Sequence, residues 1–231
     1  MPRPVVVFLF LFMQGCIAKD TTTQKPGNHP ALVWSNGEKR IGDGVTLSAY
    51  IFYDSNHYRN KAHQKNVTAY FKKLFNQTQQ YLNNQSIMIS INVRNVTLNK
   101  TLEVNTSKTI LNGSATLKSL QNYSETYSLT NDSVVFLFTN KSINVEDNAG
   151  SPFPANTLST FGTFCSSNRS AAIVVQRPGN PSYLYTLKAT VEVLGSKNFY
   201  TFKREDIDKM EKIFSHCHIN KTEVAEESEE E

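Results

Sequence analysis

Three consecutive stretches constrain most of what this chain can fold into. Val45–Asp54 places apolar residues on both faces between Ala49 and Tyr53, as a strand covered from two sides requires. Tyr58–Asn83 repeats Val67, Tyr70, Phe71, Leu74, Phe75, Thr78, Tyr81 and Leu82 at a helical period, which predicts one long helix with a single apolar stripe. Ile87, Ile89, Ile91 and Val93 then alternate with Met88, Ser90, Asn92 and Arg94, the pattern of a half-exposed strand. Strand, helix, strand is a βαβ unit with a right-handed crossover. After Val93 the parity slips to Val96, Leu98, Leu102 and Val104, which predicts a bulge or strand end near Arg94–Asn95.

The remaining chain continues the alternation. Gly113–Tyr127 reads as a second helix on Leu117, Leu120 and Tyr123 or Ser124, and Ser133–Thr139 is a continuous apolar run suited to a buried central strand. Asn144–Asn156 carries two prolines and a glycine and reads as a loop, followed by short strands at Thr157–Cys165 and Ser170–Gln176. A helix is predicted over residues 180–199, with Asn180 as N-cap, Pro181 at its first position, a stripe of Leu184, Leu187, Val191 and Leu194, and Gly195 as its left-handed end. Lys203–His216 closes the fold with Ile207, Met210, Ile213 and Phe214 on one face. There is no internal repeat. This order predicts an α/β (α+β) single domain, residues 44–219, with a mixed, mostly parallel sheet flanked by helices.

The ends read differently. Residues 1–18, with Arg3, the apolar run Val5–Met13 and a small residue at Ala18, form a secretory signal peptide too short to span a bilayer. Residues 19–43 are an extended leader anchored around Ala31–Trp34, and residues 220–231 an acidic disordered tail with six glutamates from Lys221 onward. The net charge of +4 therefore conceals a basic body of 22 basic and 14 acidic residues over 19–220. That pattern admits an anionic partner such as a heparin-like glycan, although the scattering of the lysines favours a solvated surface. The expected location is secreted, extracellular, with no membrane span.

Without the signal, Cys165 and Cys217 remain. In an exported chain they most simply form one disulfide, an intermolecular bridge being the rival. Asn-X-Ser/Thr acceptors occur at Asn66, Asn76, Asn84, Asn95, Asn99, Asn105, Asn112, Asn122, Asn131, Asn140, Asn168 and Asn220, each of which must lie on the surface to carry a glycan. Asn95 would point inward with Val93 unless the register slips, so its sequon and the inferred bulge support one another.

No reaction is written in short motifs. His29, His57, His63, His216 and His218 are the only histidines, His216-Cys217-His218 competes with the disulfide, and neither a nucleophile elbow, a phosphate loop, Cys-X-X-Cys nor His-Glu-X-X-His occurs. No cofactor is implied. An exported chain without a basic aromatic motif is not expected to bind nucleic acid.

The order of elements resembles the catalytic domain of the reprolysin branch of the metzincin zinc proteases. Val45–Asp54 with Tyr58-Arg59 resembles that family's opening strand and first helix, and residues 163–176 (Thr-Phe-Cys-Ser-Ser-Asn-Arg-Ser-Ala-Ala-Ile-Val-Val-Gln) resemble its cysteine-containing approach to the active-site helix. Cys217 falls where the family closes a disulfide. Setting Leu194-Gly195 on the family's His-Glu-Leu-Gly-His puts Glu192 and Ser196 on the zinc-ligand histidines and Val193 on the general base; shifting by one residue, Val191 and Glu192 meet His-Glu but no second histidine follows. Neither set supplies the neutral imidazoles of a catalytic zinc site, so the resemblance implies a fold without catalysis.

Secreted, glycosylated chains of this type are similar to the metalloprotease-like and immunosuppressant salivary glycoproteins of metastriate ticks. That resemblance implies a non-enzymatic modulator of host defence, suppressing T-lymphocyte and cytokine responses by binding a host protein or immune-cell receptor. The alternatives are a metalloprotease-like enzyme acting on host proteins and a lipocalin-type small-ligand carrier, the latter disfavoured by the long early helix.

Overall fold

A computed structural model describes residues 40–145 and 155–219. The expected signal peptide, the leader up to residue 39 with Trp34 and His29, most of the loop at 146–154, and the acidic tail with Asn220 lie outside the described residues.

The first strand, β1 (Thr46–Tyr53), is an interior strand of a five-stranded sheet. Its neighbours are β2 (Ser90–Leu98) and β5 (Ser133–Thr139), both parallel to it; β8 (Ser170–Val175) pairs in parallel with β5, and β7 (Thr157–Ser159) closes the far edge antiparallel to β8. A second, three-stranded sheet holds β3 (Asn105–Ser107), β4 (Ile110–Asn112) and β6 (Ser142–Asn144). The α/β class and the mixed, mostly parallel sheet are therefore as expected, whereas a carrier barrel is not: the main sheet is open, with edges at β2 and β7.

Both faces of this sheet are covered, which explains why β5 is apolar throughout. Val134, Phe136 and Phe138 join Leu47, Ala49, Ile51, Ala172 and Val174 on one side; Val135 and Leu137 join Phe52, Ala171 and Ile173 on the other. The first side is packed by α2 (Val67–Asn84), α4 (Leu184–Val193) and α5 (Arg204–Phe214), through Phe71, Phe75, Leu187, Val191, Met210 and Phe214. The second is packed by α3 (Gly113–Thr126) through Leu120, and by Leu111 and Ile143 of the small sheet. Alternate side chains along each strand thus meet two separate apolar layers.

The parity slip resolves as a bulge. Ala49 pairs with Val93 and Tyr50 with Asn95, so Arg94 is an extra residue with no partner on β1. Its Nε reaches Ser48 Oγ at 3.4 Å. Beyond the bulge, Val96 and Leu98 return to the core face while Asn95 bonds with Thr97 on the outer one.

Several element boundaries differ from the sequence expectation, and the small sheet of β3, β4 and β6 was not expected. The helix expected over Tyr58–Asn83 is broken into α1 (Asn56–Lys61), a 3₁₀ turn (His63–Lys65) and α2. Lys65 takes a positive φ of 56°, and Asn66 Oδ1 accepts from Ala69 N at 2.9 Å, starting a new helix with its own N-cap. Thr157–Cys165 is a strand only as far as Ser159. Thereafter Thr160 bonds sideways to Ala171, and Gly162 and Cys165 adopt positive φ, turning the chain away from the sheet.

Nor does α4 begin at Asn180-Pro181. The Asn180 carbonyl accepts from Tyr70 Oη and Gln176 Nε2, both at 2.9 Å, and its side chain accepts from Ser182 N at 3.0 Å. A residue strapped to α2 in this way cannot open a helix, and the first turn forms three residues later. The last helix, expected over Lys203–His216, is bounded at Arg204–Phe214.

Candidate functional site

The C-terminal end of α4 is where the metalloprotease resemblance would require a metal. Leu194 is the helix C-cap and Gly195 follows with φ +93°. Ser196 N donates to Val191 O at 3.1 Å and Gly195 N to Glu192 O at 3.0 Å, a complete Schellman closure. The turn after β7 adds two more donors: Gly162 N to Glu192 O at 3.0 Å and Phe164 N to Val193 O at 3.4 Å. Carbonyls that a helix end leaves orphaned are here satisfied from two directions.

The side chains at this end are engaged as well. Glu192 Oε2 accepts from Ser159 Oγ of the edge strand at 2.9 Å, and Oε1 lies 3.8 Å from Lys188 Nζ. Buried Ser196 donates its hydroxyl to Asp206 Oδ1 at 2.8 Å or to the Asn198 carbonyl at 2.9 Å. Asp206 Oδ2 accepts from Asn198 Nδ2 at 2.9 Å and from Lys203 N at 3.0 Å. Burial by itself pushes the Asp206 carboxyl up, but its bonds from Asn198, Lys203 N and Ser196, with Lys209 nearby, hold it below the ordinary carboxylate range. Val193 is buried in the core. The residues set on the ligand and base positions are thus tied into the fold: Glu192 to the sheet edge, Ser196 to α5, and Val193 in apolar packing.

Beside this network opens a cleft of about 400 Å³, floored by Gly195 and walled by Phe161, Lys197, Asn198, Lys203, Glu205, Asp206 and Lys209. A smaller groove of about 210 Å³ lies between α2 and β2, with the sequon residue Asn76 in its wall.

A second polar cluster sits at the carboxyl ends of β1, β5 and β8. The chain runs from β1 outward to β2 on one side and then crosses to β5 and β8 on the other, the kind of switch point at which open α/β sheets commonly place their sites. Asp54, just past β1, accepts from Thr139 Oγ1 at 2.5 Å, while Lys141 is paired with Glu103. Tyr58 Oη donates to Gln176 O at 2.5 Å. Burial raises the Asp54 carboxyl, and Glu103 nearby adds to the rise, outweighing Thr139 and Lys141. Asp54 Oδ1, Glu103 Oε1 and Gln176 Oε1 are buried without a hydrogen-bond partner among the described residues. Sequence reading missed this cluster; the signal available was a carboxylate directly after an apolar strand.

The expected disulfide joins Cys165 to Cys217, with Cα atoms 5.0 Å apart, and anchors the turn beside α4 to the end of α5. Cys217 is therefore withdrawn from any metal clip with His216 and His218. His57, His63, His216 and His218 are all exposed, and among the described residues no three His, Cys, Asp or Glu side chains are grouped to hold a metal ion. No helix among the described residues is long and apolar enough to cross a membrane. Of the eleven described sequon asparagines, Asn95, Asn99 and Asn112 are half-buried and the others are exposed. Asn66 and Asn112 cap α2 and α3 through Oδ1, whereas a glycan attaches through Nδ2.

No protein-family model matches the chain, and no curated protein matches it. Among solved structures it is similar to metalloproteinase-II from Bacteroides fragilis, at 12% identity and a TM-score of 0.48 over 76% of this chain and 55% of that one. It is also similar to the archaemetzincin of Archaeoglobus fulgidus complexed with malonate (16% identity, TM-score 0.42, 71% of this chain and 99% of that one). A third is the archaemetzincin of Methanopyrus kandleri (9%, 0.44, 76% and 99%). The chain thus spans about half the length of the Bacteroides protein. At these identities nothing about zinc or substrate passes to this chain.

Proposed function

We propose that this chain is a secreted, non-catalytic glycoprotein that modulates host defence by binding a host protein or immune-cell receptor, in the manner of the tick salivary proteins it resembles. One observation carries the reading: the two residues set on metal-ligand positions, Glu192 and Ser196, are hydrogen-bonded into the sheet edge and α5. An open coordination position is what a catalytic zinc needs, and these side chains have structural partners instead. The signal peptide and the twelve sequons add export and a shielded surface, which suit a protein released into a protease-rich fluid.

Purified glycosylated protein added to stimulated host lymphocytes should reduce proliferation and cytokine release. Unaffected cells would refute the modulatory role. Stoichiometric zinc by elemental analysis, together with chelator-sensitive peptide cleavage, would replace it with the metalloprotease reading.

A further inference from the structure

The sequons are unevenly spread. Eleven fall between Asn66 and Asn168, and none in the 51 residues from 169 to 219. Asn180 comes nearest to one, but Pro181 follows it and blocks the acceptor. The segment without sequons supplies β8, α4, the loop after Gly195 and α5, and hence nearly all of the cleft at the end of α4. A bulky glycan excludes a protein partner from the surface around it, so a glycoprotein that binds must do so where its sugars are absent.

That surface has the chemistry of a contact site. Phe161 is 50% exposed and Tyr200 59% exposed, far beyond what a ring in a core would be. Large exposed aromatics on a rigid frame are characteristic of binding hot spots. Lys197 Nζ lies 5.8 Å above the Phe161 ring. Tyr200 is stacked on Phe199 with centroids 4.1 Å apart, and its carbonyl is held by Tyr81 Oη at 2.5 Å. Lys197, Lys203 and Lys209, each six residues from the next, are scattered in sequence yet line one cleft. The floor is fixed too: a Cβ on Gly195 would come within 2.6 Å of Ile213 Cδ1.

We infer that this glycan-free cleft is the partner-binding face, and that it takes an acidic polypeptide segment. The inference rests on the reading of the chain as a binding protein and names its contact surface. Three lysines face solvent around the cleft, while the Asp206 carboxylate is turned inward to its own donors. Carboxylates on the occupant meet the lysines, and an apolar side chain meets the Phe161 ring. Glu205 in the same wall repels carboxylate and sulfate alike; what favours a polypeptide over a densely sulfated glycan is the exposed Phe161 ring, which takes an apolar side chain that such a glycan lacks.

The test uses the full glycosylated protein, a synthetic peptide of alternating Glu and Leu, and a heparin oligosaccharide of equal charge. Lys197→Glu combined with Lys209→Glu reverses two wall charges at exposed positions. Tyr200→Thr completes an Asn-X-Thr acceptor at Asn198 and thereby places a glycan on the cleft wall; Tyr200→Ala removes the ring without adding a sugar. Lys72→Glu with Lys118→Glu, exposed on the sequon-bearing helices α2 and α3, serves as the charge control. We expect peptide affinity to fall at least tenfold in the double cleft variant and in glycosylated Tyr200→Thr, less in Tyr200→Ala, and not in the control, with melting temperatures unchanged except for a small drop in the double variant, where Lys209→Glu removes a cation near Asp206. Heparin binding more tightly than the peptide, or cleft variants that bind the peptide as the parent does, would overturn the inference. The cellular assay separates the two layers. Cleft variants that still suppress lymphocytes would defeat this surface and leave the functional reading intact. A parent protein inert on cells but binding the peptide through the cleft would do the reverse.

Discussion

Replacing Asp206 with alanine tests whether the network at the end of α4 is structural. The carboxylate receives Ser196 Oγ, Asn198 Nδ2 and Lys203 N, and hydrogen bonds to a charged group contribute about 1.5–3 kcal/mol each. The losses do not sum. The Ser196 hydroxyl has a single proton and turns to the Asn198 carbonyl at 2.9 Å when Asp206 is gone, and the Asn198 amide is exposed enough to find water. What is lost outright is the bond from the N-cap N–H of Lys203 to Asp206 in the first turn of α5, with the favourable placement of a negative charge at a helix start. The expected cost is about 3 kcal/mol at pH 7, which for a domain of this size lowers the melting temperature by about 6–12 °C. Because the folded carboxyl sits below its unfolded value of about 3.9, its contribution is present above that pH and disappears as pH falls through the folded value. Urea unfolding of parent and variant at pH 7 and pH 3 measures both. A loss under about 1 kcal/mol at pH 7, or an equal loss at pH 3, would refute the reasoning.

Asp54 titrates in the opposite sense. Its folded pKa is raised, so stability declines as pH rises from the unfolded value of about 3.9 through the folded one; Asp54→Asn should remove that slope, and parallel slopes in urea midpoints between pH 4 and 7 would contradict it. Replacing Cys165 and Cys217 together with serine reopens a loop of 52 residues and should cost up to about 4 kcal/mol by loop entropy, read as a lowered melting temperature without aggregation. Gly195→Ala forces a Cβ into Ile213 at a φ of +93° and should destabilise by about 2 kcal/mol, whereas Lys118→Ala, at an exposed position of α3, should change stability by under about 0.5 kcal/mol. Electrophoresis before and after enzymatic deglycosylation should show an apparent mass well above 26.1 kDa collapsing; an unshifted band would remove the glycan argument.

Much of the fold was legible because its signals are periodic. The stripe from Val67 to Leu82 and the unbroken run of β5 report burial directly, and the parity change after Val93 reported the bulge. The boundaries that failed were decided by tertiary partners. Asn180-Pro181 has the composition of a helix start, but Tyr70, 110 residues earlier, claims the Asn180 carbonyl. The strand expected through Cys165 is cut short because Gly162 and Phe164 donate to α4 rather than to the sheet. At the candidate site, the resemblance to the metzincin motif singled out Glu192 and Ser196 as residues unlike its histidines, but their hydrogen-bond partners, Ser159 and Asp206, could only be found in three dimensions. The lysines read as scattered because their common cleft is assembled from a loop and a helix.

The extra residue at Arg94 bears on biosynthesis as well as geometry. Sugars are added to an exported chain as it emerges, before its strands have paired. Pairing β2 with β1 without the bulge would swing Asn95 toward the core and Val96 outward, a one-residue slip that apolar residues alone oppose only by their burial energy. With a glycan on Asn95 that slip is sterically impossible, since no core accommodates a sugar tree. A glycan on Asn95 would then act as a proofreader of strand register: the wrong pairing would be excluded during folding, before the finished core exists to penalise it.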